Sequence, residues 1–342
     1  MSSRSFDSKK SRPSSSPPQS AWKWRLSCVR LLFVVAVPVG AAASCRREQH
    51  PLPGPKNLPS AVEQPETLGS IPAASVSSSA NVGPRGPGRP LNVLLITVDS
   101  LRADMPWTGY PRKIAPFLTS LSQRAVVYTH AYSISSYTAK SVAGILSGRY
   151  PSTLYRSGWF FASYPRANLF FPEVLQEHGI RTLGWHSHLY FGRGKGLEQG
   201  FDEWQLVPGI TFNAQTDEHV TSEKMTKLGI ELLSKPENIT KQFFAWAHYM
   251  DPHDEYKKHR ESPDWGNSNR DRYDSEVFYT DQWIQKLVSW AQTQSWWKNT
   301  ALIVTADHGE AFGEHGMWKH AFEIWEVLTR VPLMVLAPEV QP

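Results

Sequence analysis

Residues 301–310 read Ala-Leu-Ile-Val-Thr-Ala-Asp-His-Gly-Glu, a short apolar run followed at once by a carboxylate and an imidazole. Such a run is typical of a buried strand, so we expect the strand to end just before Asp307 and His308. Gly309 lets the next loop turn so that both side chains converge. Carboxylate oxygens and histidine nitrogens are common ligands of divalent metals. The stretch therefore predicts half of a metal site at the end of a strand.

Two earlier segments supply candidates for the other half. Residues 91–98, Leu-Asn-Val-Leu-Leu-Ile-Thr-Val, form a second strand-like run that delivers Asp99, and Thr138 opens an apolar, helix-like segment. Alone, Thr138 could be a plain helix N-cap. Beside a metal its hydroxyl could lose its proton and attack phosphorus or sulfur, with the helix N-terminus facing the anion. We therefore predict one divalent metal (calcium, manganese, magnesium or zinc) held by Asp99, Thr138, Asp307 and His308.

From residue 91 onward apolar runs alternate with amphipathic stretches, which predicts an α/β fold with a mainly parallel sheet sandwiched by helices. The strand candidates are 92–98, 126–131, 181–186, 242–248, 300–306 and 331–336. The helix candidates are 115–124, 138–147, 172–178, 217–234 and 273–293. In open α/β sheets, ligands bind outside the carboxyl ends of the strands. A single site is favoured because such ends carry Asp99, His186, His248 and Asp307.

Residues 1–45 have the pattern of an export signal. Residues 1–30 are rich in Ser, Lys and Arg, and the apolar run over 31–43 is short for a membrane span, which needs roughly 20 residues. Cys45 after Ala-Ala-Ser resembles the lipidated cysteine of a bacterial lipoprotein, although Ala42 stands where Leu is more usual. We predict an extracytoplasmic protein, in the periplasm or at the cell surface, held to the membrane by a lipid on Cys45. An ordinary cleaved signal or a poor membrane anchor is the alternative.

The rest of the chain divides into a linker and one domain. Residues 46–90 are rich in Pro, Gly and Ser, which predicts a disordered tether, and 91–342 is ample for one core. No closing helix follows 331–336, so we expect the C-terminal part to be truncated or abbreviated. The two cysteines both precede residue 46, which excludes a disulfide or thiolate metal site in the folded part. The net charge of +5 comes from the basic N-terminal residues and predicts no nucleic-acid partner.

Four stretches of the domain carry a set of motifs. They are Val-Asp-Ser-Leu-Arg-Ala-Asp at 98–104, Tyr-Thr-Ala-Lys-Ser-Val-Ala-Gly-Ile-Leu-Ser-Gly-Arg-Tyr-Pro at 137–151, Asp-Pro-His at 251–253, and Thr-Ala-Asp-His-Gly-Glu-Ala-Phe-Gly-Glu-His-Gly at 305–316, the last followed by His320 and by Arg-Val-Pro-Leu at 330–333. In content and order these stretches resemble the motifs of the sulfatase family, which belongs to the alkaline phosphatase superfamily. The resemblance implies an alkaline-phosphatase-like α/β fold with a mixed, mainly parallel sheet.

Carried over by position, the family's metal ligands fall on Asp99, Asp307 and His308. Its nucleophile falls on Thr138, where family sulfatases have a Cys or Ser that is oxidised to formylglycine within a Cys/Ser-x-Pro-x-Arg pattern. This chain has Lys140 in place of the Pro and Val142 in place of the Arg. Threonine cannot become that aldehyde, and it occurs in relatives that transfer or hydrolyse phosphoryl esters, such as lipoteichoic-acid-synthase-like enzymes and phosphodiesterases. Thr138 therefore favours phosphoryl transfer, whereas the sequence as a whole resembles a sulfatase.

Basic residues near the motifs should bind the anion or protonate the leaving group. We predict catalytic roles, besides that of Thr138, for His186, His253 and Lys140. We predict substrate-binding roles for His188, Arg193 and His320. We expect structural roles for His248 and His315. A second metal held by Asp251, His253 and His320 would lack a full ligand set, so one metal is favoured.

Together these features predict a sulfatase-like, metal-dependent hydrolase of sulfate or phosphate esters, with glycans and lipid-linked compounds as candidate substrates. A phosphotransferase or phosphodiesterase of the lipoteichoic-acid-synthase-like type is the alternative within the enzymes. Outside them, the alternative is a non-catalytic binding lipoprotein with a decayed site, which Lys140 and Val142 would fit. The joint presence of all four metal-site residues argues against decay.

Overall fold

A computed structural model of the chain describes residues 90–158, 161–211, 220–338 and 340. The signal-like segment over 1–45 lies outside these residues, as does the linker over 46–90 apart from its last residue, so both stay predictions. In the part of the chain that is described, no helix is long and apolar enough to cross a membrane.

The described residues form strands and α-helices in alternation. The strands are β1 (Asn92–Val98), β2 (Val126–Tyr132), β3 (Arg181–His186), β4 (Glu203–Leu206), β5 (Phe243–Tyr249), β6 (Thr300–Ala306), β7 (Ala311–Phe312), β8 (Trp318–Lys319) and β9 (Arg330–Leu336). The helices are α1 (Pro116–Ser122), α2 (Thr138–Ser147), α3 (Phe171–Glu177), α4 (Ser222–Ser234), α5 (Pro236–Ile239), α6 (Asn269–Gln292) and α7 (Glu326–Thr329).

Seven strands form one sheet in the order β2-β9-β6-β1-β5-β3-β4. The pairs among β1, β3, β4, β5 and β6 are parallel, whereas β9 pairs antiparallel with both β6 and β2. Strands β7 and β8 form a separate hairpin after the Asp307–His308 loop. The predicted α/β fold with a mixed, mainly parallel sheet is confirmed.

All six predicted strands are present within one residue of their predicted bounds. Strand β4 was not predicted because it is a four-residue edge strand with polar residues at alternate positions. Helix α6 begins four residues earlier than predicted, because the Ser268 side chain accepts a hydrogen bond from the N–H of Asp271 and caps it. The helix predicted over 217–234 begins at Ser222 among the described residues.

Helices cover both faces of the sheet, as the alternation along β1 shows. Leu94, Ile96 and Val98 belong to a buried cluster with side chains of α1, α4 and α6, whereas Leu95 belongs to a second cluster with side chains of α2 and α3. Strands buried on both faces are near-continuous apolar runs, and every residue of β5 is buried. This double covering explains why the strand signal of β1, β5 and β6 was clear in the sequence.

The strand register places the carboxyl ends of the central strands side by side. The last residue of β1 pairs with the last residues of β5 and β6, and the last residue of β3 pairs with His248 of β5. Asp99, which follows β1, and Asp307, which follows β6, therefore lie next to each other at one edge of the sheet. This is the edge at which ligands bind in open α/β sheets.

Candidate metal and catalytic site

Asp99 lies at the centre of the site and is fully buried. Its Oδ1 is 3.6 Å from Nε2 of His308, and its Oδ2 is 3.3 Å from the Thr138 hydroxyl. Oδ2 is also in hydrogen-bond contact with Nε2 of His188 and lies 3.4 Å from Nε2 of His248. Asp99 therefore lies next to three of the predicted site residues, Thr138, His188 and His308. It also lies next to His248, which was expected to be structural.

The turn after β1 fixes the two buried carboxylates relative to each other. Ser100 adopts a left-handed φ of 57°, which is uncommon for a residue other than glycine. Its hydroxyl donates to Asp99 Oδ1 at 2.9 Å, and its backbone N–H donates to Asp307 Oδ1 at 3.3 Å. The Tyr273 hydroxyl donates to the Ser100 carbonyl oxygen at 2.9 Å and holds the turn from α6. Ser100 thus holds both carboxylates, Asp99 through its hydroxyl and Asp307 through its backbone N–H.

Asp307 and His308 follow β6 and are both fully buried. The loop turns at Gly309, whose N–H donates to the Leu328 carbonyl at 2.7 Å, and a Cβ at that position would lie 2.1 Å from the Val327 carbonyl oxygen. His308 Nδ1 lies 2.9 Å from the carbonyl oxygen of Gly309. Because a carbonyl can only accept, Nδ1 carries the proton, and Nε2 presents its lone pair to the site.

Thr138 is the first residue of α2, and Tyr137 occupies the N-cap position, so Thr138 is not a plain N-cap. Its buried hydroxyl lies 3.0 Å from His308 Nε2 and 3.3 Å from Asp99 Oδ2. Lys140 follows in the first turn, with Nζ 5.6 Å from the centroid of the Tyr137 ring. The positive end of α2 therefore faces the same point as the Thr138 hydroxyl.

These four side chains fit a divalent metal. His308 Nε2 lies 3.0 to 3.6 Å from ligand atoms of Thr138, Asp307 and Asp99, and ligands of a tetrahedral zinc ion are about 3.3 Å apart. Asp307 Oδ2 has no hydrogen-bond partner among the described residues. Burial and the charge of Asp99 raise the pKa of Asp307 well above its usual range. A bound cation would both partner that oxygen and offset the two adjacent carboxylates.

Burial sets the protonation of the histidines around Asp99. It lowers the pKa of His188 to about 4 and, together with the charge of His320, lowers the pKa of His308 to about 3. Both imidazoles are therefore neutral near pH 7, which is the form that binds metals. Burial would raise the pKa of Asp99, but interactions with His253 and His188 outweigh it and hold that pKa well below its usual range.

His253 and His320 lie beside the metal-site residues. The His320 ring is 4.4 Å from the His308 ring and 4.9 Å from the His253 ring. His320 Nδ1 is 3.1 Å from Oε1 of Glu310, whose Oε2 accepts a hydrogen bond from the Tyr256 hydroxyl at 2.8 Å. Burial would lower the pKa of His320, but the Glu310 carboxylate outweighs it and the pKa is raised. His320 is therefore the imidazole of this group best suited to donate a proton.

Two of the predicted residues have other partners. His186 packs with its ring 4.8 Å from Trp204 and 5.5 Å from Phe191, and neither ring nitrogen finds a hydrogen-bond partner in the described ranges. Arg193 donates from Nη2 to the Trp204 carbonyl oxygen at 3.3 Å. The sequence favoured His186 over His188 as a catalytic residue. In the structure it is His188 that contacts Asp99. The predicted catalytic role of His186 has no polar contact to support it within the described part of the chain.

Asp251 also has a structural partner. Its Oδ1 accepts from the backbone N–H of Thr221 at 2.6 Å, and its Oδ2 accepts from that of Ser222 at 2.8 Å, so the carboxylate caps α4. Both oxygens of Asp251 are therefore engaged at the start of α4. His315, which was expected to be structural, stacks on Trp325 with ring centroids 3.9 Å apart.

Sequence reasoning missed three residues of the site. His248 is the neighbour of Asp99 already described, and its position near the end of β5 was the available signal. The Tyr190 hydroxyl lies beside Thr138, and burial followed by the charge of Asp99 raises its pKa well above the usual range. Glu310 holds His320, and it directly continues the Asp-His-Gly run. No local pattern marks Tyr190, because its role depends on the loop after β3.

Three known proteins resemble this chain. The N-acetylgalactosamine-6-sulfatase of Canis lupus familiaris is 23% identical over 283 residues, which cover 69% of this chain and 53% of that protein. A protein of the alkaline phosphatase superfamily from Vibrio parahaemolyticus superposes with a TM-score of 0.59 at 18% identity, over 75% of this chain and 62% of the other. The C-terminal periplasmic domain of the phosphoethanolamine transferase EptC from Campylobacter jejuni superposes with a TM-score of 0.56 at 18% identity, over 73% and 80%.

These likenesses confirm the alkaline-phosphatase-like fold that the motifs implied. The chain spans about half the length of the curated relatives it matches. A model of the Sulfatase family matches residues 91–342, which is the whole of the predicted domain and well over half of the sequence. The order of the motifs, the fold and this match agree, and the chain belongs to the sulfatase family.

Proposed function

We propose that this protein is a metal-dependent enzyme that cleaves a phosphate or sulfate ester, with Thr138 as the nucleophile. Asp99, Asp307 and His308 would hold the metal together with the Thr138 hydroxyl. The observation that carries the proposal is the position of that hydroxyl. It is buried at the N-terminus of α2, 3.0 Å from a metal-ligating nitrogen and 3.3 Å from a carboxylate oxygen.

A divalent cation held by these residues would lower the pKa of the Thr138 hydroxyl and balance the buried carboxylates. The mixed carboxylate and imidazole donors favour zinc or manganese over calcium and magnesium. Two of the donors support this proposal: the lone pair of His308 Nε2 faces the Thr138 hydroxyl at 3.0 Å, and Asp307 Oδ2 has no hydrogen-bond partner among the described residues.

The chain's own groups supply the remaining steps. Thr138 Oγ1 passes its proton to water and attacks the phosphorus or sulfur atom, and the bond to the leaving oxygen breaks. His320 or His253 protonates that oxygen. The N–H groups of the first turn of α2, with Lys140, stabilise the negative charge on the transferred group. Water then releases the group from Thr138, or an alcohol accepts it in a transferase variant.

Thr138 favours phosphorus over sulfur. The family's sulfatases form a hydrated aldehyde that expels sulfate, and a threonine side chain cannot be converted to that aldehyde. A phosphoryl group on threonine can be passed to water or to an alcohol by in-line attack at phosphorus. The fold-level likeness to a phosphoethanolamine transferase is compatible with this second chemistry but does not carry it.

A side-by-side assay tests the proposal. Purified protein is given 4-nitrophenyl sulfate, 4-nitrophenyl phosphate and bis(4-nitrophenyl) phosphate, each with zinc, manganese, calcium or magnesium. We expect the phosphate esters to be cleaved fastest with zinc or manganese. Thr138→Ala should lower turnover by roughly 10³-fold or more, since removal of a nucleophile costs at least that much.

Thr138→Ser is the matched control, because it keeps the hydroxyl, and it should keep measurable turnover. Mass spectrometry of the quenched wild-type reaction should find the phosphoryl group on the peptide that contains Thr138. Equal turnover in Thr138→Ala and the wild type would refute the enzyme proposal. Faster cleavage of the sulfate ester by unmodified Thr138 would refute the preference for phosphorus.

From the N-terminal sequence alone we also propose that the domain is extracytoplasmic and tethered by a lipid on Cys45. A substrate in a glycan or a membrane lipid would then be within reach of the tether. Cys45→Ser should release the protein from the membrane fraction of a bacterial host while its activity is kept. Retention of that variant in the membrane fraction would contradict the lipoprotein assignment.

A further inference from the structure

We propose a second metal site in which Asp99, His188 and His248 bind another divalent cation, so that Asp99 bridges two metals. The ligand atoms of these three residues lie within 4.8 Å of one another, and all three residues are buried. The proposal rests on the proposed function only through the shared ligand Asp99.

The two oxygens of Asp99 face partly different partners, and Oδ2 also lies 3.3 Å from the Thr138 hydroxyl of the first site. Oδ1 faces His308 at 3.6 Å, on the side of the first metal. Oδ2 faces His248 Nε2 at 3.4 Å and contacts His188 Nε2. A distance of 3.4 Å is close to the separation of about 3.3 Å between ligands of a tetrahedral zinc ion. Two imidazoles and one carboxylate, with a position left open, are a ligand set of catalytic zinc sites.

The hydrogen bonds behind His248 aim its lone pair at this point. The Trp246 indole N–H donates to Thr97 Oγ1 at 2.9 Å, and His248 Nδ1 lies 2.7 Å from the same oxygen. Thr97 Oγ1 is also 3.4 Å from the Ala247 carbonyl oxygen. If Nδ1 carries the proton, Thr97 accepts from both rings and donates to Ala247, and all these groups are satisfied. Nε2 then has a free lone pair.

In that tautomer the lone pair faces a carboxylate oxygen instead of a donor. His248 Nε2 is fully buried and has no hydrogen-bond partner within the ranges that the structure describes. A nitrogen lone pair 3.4 Å from Asp99 Oδ2 is repulsive in a buried environment unless a cation lies between them. A histidine ligand held from behind by a hydrogen bond is a recurring feature of metal sites. Thr97 therefore acts as a positioning residue for His248.

A second cation would place further positive charge against the Asp99 carboxylate. Paired metals that share a bridging ligand stabilise both the attacking and the leaving oxygen of an in-line displacement. The second site thus assigns a role to His188 and His248 that packing alone would not require. It also predicts a two-metal enzyme in which Asp99, the first acidic residue of the motif at 98–104, bridges the two metals.

The test counts metals and needs no substrate. Chelator-treated, dialysed protein is titrated with Zn²⁺ alone by calorimetry, and bound zinc is measured by elemental analysis. We expect two equivalents in the wild type, and one in His248→Gln and in Asp307→Asn, each of which keeps the other site. His259→Gln is the matched control, because His259 is also a buried histidine beside a carboxylate but belongs to neither ligand set, and it should keep two equivalents.

Valine has nearly the same shape as threonine, so Thr97→Val removes only the hydroxyl that contacts His248 Nδ1. It should weaken binding of the second equivalent about 10-fold and leave the first unchanged. With Mn²⁺ as the probe, the wild type should give the electron paramagnetic resonance signal of an exchange-coupled pair, and His248→Gln should lose it. These two readouts keep the test decisive if His248→Gln fails to fold.

The outcomes separate the two proposals. One equivalent in the wild type, lost in Asp307→Asn and kept in His248→Gln, would overturn the second site alone. No bound zinc in the wild type would overturn both the second site and the metal of the proposed function. Unchanged affinity for both equivalents in Thr97→Val would overturn the positioning role of Thr97.

Discussion

Two polar clusters of this molecule, one fully buried and one partly buried, are built in opposite ways. The metal-site cluster comprises Asp99, Thr138, Asp307 and His308 with His188 and His248. The arginine cluster comprises Asp104 and Asp274 with Arg102, Arg112 and Arg270. In the arginine cluster, Asp274 accepts from Arg270 at 2.9 Å and from Arg112 at 2.8 Å, one on each oxygen. The two oxygens of Asp104 likewise accept from Arg102, at 2.8 and 3.0 Å.

In the metal-site cluster, Ser100 donates to Asp99 Oδ1 and His188 contacts Oδ2, but other polar atoms have no donor opposite them. Asp307 Oδ2 lies 3.4 Å from His308 Nε2, and Asp99 Oδ2 lies 3.4 Å from His248 Nε2, and neither Asp307 Oδ2 nor His248 Nε2 has a hydrogen-bond partner among the described residues. Buried polar groups are normally paired, because an unpaired one costs free energy. A cluster whose donors and acceptors match needs no ligand, whereas a cluster of facing acceptors becomes stable when a cation enters. The difference separates a structural cluster from a binding site.

The largest expected effect follows from removing one carboxylate of the metal-site cluster. Asp307→Asn should lower turnover of the preferred ester by roughly 10²- to 10³-fold, as loss of a main electrostatic stabiliser does. In chelator, however, its free energy of unfolding should equal or exceed that of the wild type, because a buried like charge is gone. Urea denaturation with and without chelator measures the second part.

Asp274→Asn is the matched control for that experiment, because it makes the same change in the arginine cluster and should keep zinc binding. A large loss of stability in Asp307→Asn under chelator would show that the metal-site cluster is a structural one as well.

Metal addition should produce the next largest effect. Zinc at about 100 times its dissociation constant should raise the free energy of unfolding of the wild type by about 2.7 kcal/mol per site, as mass action requires. Asp307→Asn should lose the contribution of the first site, and the arginine cluster should contribute nothing to the gain. Thermal melts over a zinc titration, with the chelated protein as reference, give the measurement. Equal gains in the wild type and Asp307→Asn would contradict the assignment of Asp307 as a ligand.

Breaking the arginine cluster should have the smaller effect on stability and none on metal. Asp274→Asn leaves Arg112 and Arg270 without their shared carboxylate, and Tyr110, whose hydroxyl donates to Asp274 Oδ2 at 2.5 Å, loses a charged acceptor. Loss of a buried partner costs several kcal/mol, but the arginines keep access to water, so we expect a loss of about 2 kcal/mol. Urea denaturation measures it. A change in zinc stoichiometry in this variant would contradict the separation of the two clusters.

The sequence predicted the Asp307–His308 pair better than it predicted His248, for a physical reason. Asp307 and His308 directly follow a buried apolar strand, so strand end and ligand pair are read from one local stretch. His248 lies within a strand whose seven residues are all buried, and the contact that would orient it as a ligand comes from Thr97 on the neighbouring strand. Residue spacing records what is close along the chain, whereas that contact joins residues 151 positions apart.

The fold shows the same limit at its edges. Strands β1, β5 and β6 were predicted because both of their faces are buried and their apolar runs are continuous. Strand β4 and the β7–β8 hairpin are short, and their pairing depends on partners elsewhere in the chain. The loop that brings His188 to Asp99 has no periodic pattern either. His186 was therefore predicted to be catalytic, and His188 was predicted only to bind substrate. Local sequence patterns thus predict the strands that carry the site. Tertiary contacts decide which side chains lie in it.

A third buried pair sharpens the comparison, because an unpaired atom alone does not make a metal site. Glu276 Oε1 lies 3.5 Å from His259 Nε2, and Glu276 Oε2 has no hydrogen-bond partner in the described part of the chain. Burial and the charge of Asp251 raise the pKa of Glu276 well above its usual range, and burial lowers the pKa of His259. Both shifts favour the neutral forms of the acid and the imidazole, with a proton where the metal-site cluster would hold a cation.

The contribution of the Glu276–His259 pair to stability should therefore depend on pH, and the pair should not bind zinc. Between the usual pKa of a glutamate and its raised value in the fold, the folded state binds more protons than the unfolded state, so stability falls as pH rises through that window. Glu276→Gln cannot ionise, so its melting temperature relative to the wild type should increase from pH 5 to pH 8. A differential of 1 kcal/mol corresponds to roughly 2–4 °C for a domain of this size. A melting-temperature difference independent of pH, or zinc bound at this pair, would contradict the assignment of a proton, and not a cation, to the Glu276–His259 pair.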